Sequence, residues 1–220
     1  LETLWALHLS GGLNDERSIV LLDHTDPFVR LWTVRLACDD GTVSPAFATR
    51  LAQLAVVETD LEARSQLACS ARRLPAADGL PIVRALLQRG EDVDDIHMRL
   101  LLWWAIEAWA ESDRPAVVEM FSDPGLWDAP IVTRHIIQRM MRRYAAAGKR
   151  PDLLACATLL QAAPQDEHAQ SLMAGFEEAF QGRSLTALPA ELVTAMSVRG
   201  GGSLALRVRQ GDAAAVEEAL

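Results

Sequence analysis

Apolar residues recur at three- and four-residue spacing along most of the chain, in runs broken by short segments rich in Pro, Gly, Asp and Ser. That period belongs to helices that bury one face. The clearest run is Asp26 to Cys38, Asp-Pro-Phe-Val-Arg-Leu-Trp-Thr-Val-Arg-Leu-Ala-Cys. Asp26 can accept the orphan N–H groups of a first turn, and Pro27 suits the first helical position, where no N–H is needed. Val29, Thr33 and Leu36 then share one face, with Arg30 beside them.

The run recurs. Steps of 34 residues from Asp26 lead to Asp60, Asp94 and Asp128, each ahead of an apolar-periodic stretch. A second series, Ser10, Ser44, Asp78 and Ser112, keeps the same step. Two interleaved ladders of cap residues predict a two-helix unit repeated several times. One hairpin cannot bury its apolar stripe alone, so neighbours must stack and share a core. The expected fold is all-α, an α-solenoid.

The predicted hairpins occupy 14–39, 44–74, 78–111, 112–147, 151–181 and 189–209, in a single array over residues 1–220. Ser122 to Trp127 reads as a Pro-Gly turn carrying an aromatic residue. Gly148 is placed to end the fourth pair, and beyond it the step lengthens, since Asp166 lies 38 residues past Asp128. Gly175 interrupts the second helix of the fifth pair. The tail reads as looser: Pro189 to Val198, a loop at Gly200 to Gly202, Ser203 to Arg209 and Asp212 to Leu220.

A 34-residue step also fits tetratricopeptide repeats, but the Trp-x-x-Leu-Gly-x-x-Tyr signature is missing and the single tyrosine is Tyr144. The Asp-Pro-x-Val-Arg opening at Asp26, Pro27, Val29 and Arg30 instead resembles a HEAT-like repeat. It is degraded at Asp60, Ala63 and Arg64, and only the cap remains at Asp94 and Asp128. The resemblance implies a right-handed superhelix of helical hairpins, with the second helices on its concave face.

Half of the residues are hydrophobic, ample for a continuous helical core. The formal charge of −9 argues against nucleic acid and anionic membrane as partners, because both call for a basic footprint. The longest apolar run, Leu100 to Ile106, is far short of the roughly 18–20 residues of a membrane span. There is no signal-peptide pattern. Leu1 is not a methionine and Leu220 stands inside a helical pattern, so both ends read as cut from a longer polypeptide.

Candidate chemistry is sparse. Cys38, Cys69 and Cys156 each sit among Ala and Leu in predicted helices and read as small buried hydrophobes. His8, His24, His97, His135 and His168 show neither i, i+4 pairing nor metal-ligand spacing. Asp92, Asp94 and Asp95 suggest a fragment of a calcium loop, but the Gly and closing Glu are missing, and a capping cluster explains them better. No phosphate-binding glycine motif and no nucleophile elbow occurs. The expectation is no catalytic residue, no cofactor and no metal.

Two patterns point to contacts. Arg99 to Trp109 is the most apolar stretch and predicts a central, well-covered helix filled by Trp103, Trp104 and Trp109. Trp103 and Trp104 point about 100° apart, so one of them is free to join Trp32 in an aromatic patch on the concave face. Arginines also concentrate in the second helices, among them Arg30, Arg35, Arg64, Arg72, Arg73, Arg99, Arg134, Arg139, Arg142 and Arg143. They serve as helix C-terminal cations and partners of cap aspartates, or form a mildly basic strip for an acidic segment. The candidate surface is Trp32, Arg64, Arg99, Trp104 and Arg139.

The stretches Asp26 to Asp40, Val43-Ser44-Pro45, Leu101-Leu102-Trp103-Trp104 and Arg142-Arg143-Tyr144 resemble the HEAT-like segment of large modular bacterial membrane-bound dehydrogenases. In those proteins a sugar-dehydrogenase-like β-propeller precedes the repeats and a c-type cytochrome domain follows. The resemblance implies an exported, cell-envelope parent and a non-catalytic spacer or scaffold role, with neighbouring domains or another protein as partner. Apolar faces at the ends of a stacked array add an expectation of weak end-to-end association. Two HEAT-like rivals stand beside it. A DNA glycosylase would use Trp32, Trp104 and Asp95, against the charge. A bilin lyase-type protein is selected by no residue.

Overall fold

Side-chain caps set where the helices begin. In the computed structural model, which describes residues 1–183, 185, 188–199, 208, 211 and 213–219, every regular element is helical among those residues. Asp26 opens α3 (Pro27–Ala37) by accepting from the Phe28 N–H at 2.9 Å. Ser44 opens α4 (Pro45–Val57), and Asp60 opens α5 (Leu61–Ala71) through the Ala63 N–H. The 34-residue step is therefore physical from Asp26 to Asp60, in the second helices of the first two predicted hairpins.

It then drifts. Asp95 rather than Asp94 caps α7 (Ile96–Trp109), its Oδ1 accepting from the His97 and Met98 N–H groups at 2.9 and 2.7 Å. Asp78 lies inside α6 (Ala76–Leu87), which Pro75 precedes. Asp113 rather than Ser112 stands ahead of α8 (Arg114–Glu119). Asp128 does not open the next helix but follows the single turn before it: that helix enters at Pro130, with the Ala129 carbonyl accepting its first N–H groups. Ser10 follows α1 (Glu2–Leu9) and bonds back to the Leu7 carbonyl, closing a helix rather than opening one. Cap-forming residues are common in any turn, so an arithmetic ladder catches neighbours of the true cap as readily as the cap itself.

The chain divides into two compact units, Leu1–Val117 and Val118–Leu220. Within the first, helices two apart in sequence pack side by side. α2 (Asp15–Leu21) packs on α4 and α4 on α6; α1 packs on α3, α3 on α5, and α5 on α7. Their shared interior holds Val34, Phe47, Leu51, Leu67, Ile82, Leu86, Met98 and Leu102, all sealed from solvent. In α3 the buried stripe is Thr33, Val34 and Cys38, while Val29 and Leu36 are half-buried. Donors near the end of one helix also reach the last carbonyls of its neighbour. Trp109 Nε1 donates to the Leu74 carbonyl at 3.1 Å, Arg89 to Val56 at 2.6 Å, and Arg73 to the Asp39 carbonyl and carboxylate. These are orphan acceptors that a helix terminus must satisfy.

In the second unit, Ser122 to Trp127 is not an open turn. Asp123 caps a single helical turn, α9 (Pro124–Trp127), and the Trp127 ring is buried, with Nε1 donating to the Phe121 carbonyl at 2.9 Å. The helix entered at Pro130 carries a π segment, Val132–Ile136, before continuing as α10 (Ile137–Ala147). Gly148, at φ +67°, ends it as expected. α11 (Arg150–Ala162), α12 (Asp166–Phe180) and α13 (Ala190–Val198) follow, with α10 against α12 and α11 against α13. Carbonyl capping between neighbours recurs: Arg183 donates to Ala145 and Ala146, and Arg199 to Gln161 and Ala163. The last described helix is α14 (Ala213–Ala219). The predicted loop over 200–202 and, apart from Val208, the predicted helix over 203–209 lie outside the described residues.

Candidate functional site

Two arginine–carboxylate rungs repeat in register. Arg30, in the first turn of α3, grips Glu58 just after α4, Nε to Oε2 at 2.7 Å and Nη2 to Oε1 at 2.5 Å. Arg64, at the same place in α5, grips Asp92 after α6, Nε to Oδ2 at 2.7 Å and Nη2 to Oδ1 at 2.5 Å. Each spans 28 residues, and both partners step by 34. The third nitrogen of each guanidinium is used as well, Arg30 Nη1 on the His24 carbonyl and Arg64 Nη1 on the Glu58 carbonyl. Hydrogen bonding to the carboxylates raises both arginines above their ordinary pKa. For Glu58, burial pushes its carboxyl up, but Arg30 and the Asp60 and Thr59 N–H groups together hold it below the usual range.

These rungs alter the expected basic strip. Arg64 is only 4% exposed and committed to Asp92, so it is withdrawn from any contact surface. Arg73 pairs with Asp39, Arg142 pairs with Glu178 at 3.0 Å, and Arg35 lies over the Trp32 ring at 5.2 Å. Arg99 and Arg139 are each half-buried, with Arg99 Nε and Arg139 Nη1 lacking a hydrogen-bond partner among the described residues. They stand in different units. Much of the arginine charge in the second helices thus faces carboxylates of the same chain.

What the first unit does present is a groove of about 320 Å³ between α5 and α7. Leu61, Glu62 and Ser65 line it from α5; Asp95, His97, Leu100, Leu101 and Trp104 line it from α7. The helix repeat explains the set: Leu100 and Leu101 precede Trp104 by four and three residues, so the three share one side of α7. Trp104 is 44% exposed, and among the described residues no Lys or Arg lines the groove. Trp109 is the tryptophan of this stretch that enters the core; Trp103 is half-buried.

Trp32 does not join Trp104. It meets Trp5 edge-on, ring centroids 5.0 Å apart, within α3 and α1. Of the trio a glycosylase would need, the groove gathers Asp95 and Trp104 but not Trp32, and the Asp95 Oδ1 is occupied as a cap. The sequence pattern does not single out Glu62 or Ser65, and it gives His97 no role. The available signal is positional, because Glu62 and His97 are both second residues of adjacent capped helices. Cys69 is exposed, contrary to the expectation of three buried thiols, whereas Cys38 and Cys156 are buried. Among the described residues no group of three or more His, Cys, Asp or Glu is placed to hold a metal ion, and no helix is long and apolar enough to cross a membrane. No family model matches this chain, and neither a curated protein nor a solved structure matches it.

Proposed function

We propose that this chain is a non-catalytic protein-interaction module, a right-handed solenoid of HEAT-like hairpins that spaces and docks neighbouring domains or partner proteins. The observation that carries the reading is the pair of rungs, Arg30–Glu58 and Arg64–Asp92, repeated at the step of the helices themselves. Side-by-side packing of alternate helices within each unit supports stacking, and the exposed indole of Trp104 beside an open groove supports docking. The resemblance to modular dehydrogenases supplies the setting, a longer cell-envelope polypeptide with redox domains. Exposed Leu1, Trp5 and Leu9, at and beside α1, support weak end-to-end association of the isolated chain.

The test is photo-cross-linking in the native polypeptide with p-benzoylphenylalanine at position 104, and at positions 5 and 28 for comparison. The expected result is a defined adduct from position 104 to a segment of another domain or protein, mapped by mass spectrometry. Absence of an adduct from all three positions overturns the docking role. A haem stain and mass of the same native polypeptide test the proposed redox setting.

A further inference from the structure

The groove between α5 and α7 has a charge pattern as well as a shape. At one end stand Glu62, exposed and in no ion pair among the described residues, and Asp95, whose Oδ2 is not used by the cap. At the other end stand Leu100, Leu101 and the half-exposed Trp104. Asp95 and Trp104 are nine residues apart on one helix, about 14 Å along its axis at 1.5 Å per residue. The two helix N-termini behind the carboxylates contribute roughly half a positive charge each, which offsets about half of the two negative charges. With His97 of the same lining counted as neutral at pH 7, the acidic end keeps a net negative charge. Neither Arg64 nor Arg99 lines the groove, the first being locked to Asp92.

Resting on the docking role proposed above, we infer that this groove receives a short basic segment of a partner polypeptide, with an arginine or lysine between Glu62 and Asp95 and an apolar side chain against Trp104. An acidic segment, the occupant a basic strip would choose, meets like charge here. A purely apolar segment leaves Glu62 and Asp95 unanswered at the rim. A single cationic side chain reaches about 6–7 Å on its short flexible stem, so it cannot touch both ends of a groove about 14 Å long. The segment must separate its basic residue from its apolar one, by about four positions if extended at about 3.3 Å per residue. Specificity would then come from spacing and sign together, while affinity comes mostly from burial of the indole.

The experiment follows the indole N–H resonance of Trp104 in the full chain, assigned by its loss in Trp104→Phe. The probes are acetyl-Arg-Ala-Ala-Leu-Leu-amide and its counterpart with Glu in place of Arg. The arginine peptide is expected to shift the resonance saturably, and the glutamate peptide to bind at least about tenfold more weakly. Glu62→Gln, on an exposed site, is expected to weaken the arginine peptide by about threefold to fivefold while leaving the thermal midpoint in place. Equal response to both peptides, or indifference to Glu62→Gln, overturns the basic segment and leaves the groove as a docking surface. A position-104 cross-link to an acidic or uncharged segment also overturns it. No cross-link from any of the three positions removes the docking role underneath.

Discussion

Arg64 holds Asp92 in a two-pronged contact with both side chains sealed, 5% and 2% exposed. Counting 34 residues on leads to Met98 and Leu126, apolar residues that are both fully buried, although the cap of α7 has moved by one and Arg99 is the residue four after it. Two buried charges lose their hydration, and their attraction often does no more than offset that loss. An apolar pair of similar volume is then a workable substitute.

This substitution gives a graded prediction. Asp92→Leu alone strands the Arg64 guanidinium in the interior and is expected to cost about 3–5 kcal/mol. Arg64→Met alone strands the carboxylate at a similar cost. The double variant, Arg64→Met with Asp92→Leu, should recover most of that loss. Denaturant unfolding of the four proteins checks it, and simple additivity of the two single effects would show that the pair is not the unit.

The rung at Arg30–Glu58 adds a pH dependence. The Glu58 carboxyl is held below its ordinary value in the folded chain, so its contribution to stability is fully present above the unfolded value near 4.5. That contribution disappears as pH falls through the lower folded value. Glu58→Gln should therefore be less stable than the natural chain at pH 7 and converge with it toward pH 3. Thermal midpoints measured across that interval decide the matter; a constant gap at all pH values would contradict it.

Much of the helical layout is legible in the sequence because caps and periodicity are local. Asp26-Pro27 and Ser44-Pro45 specify their helices with three or four residues. The rungs are not legible there, although Arg30 and Arg64 stand in the motif itself, because their partners lie 28 residues on and differ in type, Glu58 and Asp92. Trp104 stands out in the sequence and is exposed in the fold, but its groove neighbours on α5 come from packing between helices. Trp127 shows the opposite failure. A Pro-Gly sequence suggests an open turn, and a cap at Asp123 plus the bond to Phe121 folds the indole inward instead.

The thiols separate by burial. Desolvation raises the Cys38 thiol to about 12 and the Cys156 thiol further, and both are buried. Cys69 is exposed and its thiol is raised as well, chiefly by desolvation, with Arg35 and Arg72 acting against the rise. Thiolate is the reactive form, so labelling at pH 8 should be slow and confined to Cys69. Native protein is expected to take up one equivalent of an alkylating reagent, and denatured protein three. Mass spectrometry of the labelled peptides identifies the site, and rapid loss of Cys38 or Cys156 in native protein would contradict the packing.

Gly175 interrupts α12 in a way that propensity alone counts as a defect, since glycine in a helix interior costs about 1 kcal/mol relative to alanine. Its place against α10 reverses the sign of that effect. A Cβ at residue 175 would lie 2.2 Å from the Gln138 carbonyl oxygen and 3.2 Å from the Arg142 backbone N. Both obstacles are backbone, so no rotamer change relieves them, and α12 would have to move off α10. Gly175→Ala is therefore expected to destabilise the second unit by about 1–3 kcal/mol, despite the better helix former. An exposed position of the same helix offers the control: Gln170→Ala should change stability by no more than about 0.5 kcal/mol. Unfolding followed through Trp127, a buried indole of that unit, reads both variants. A stabilised Gly175→Ala protein would mean that α10 and α12 do not approach as closely as Gln138 and Gly175 require.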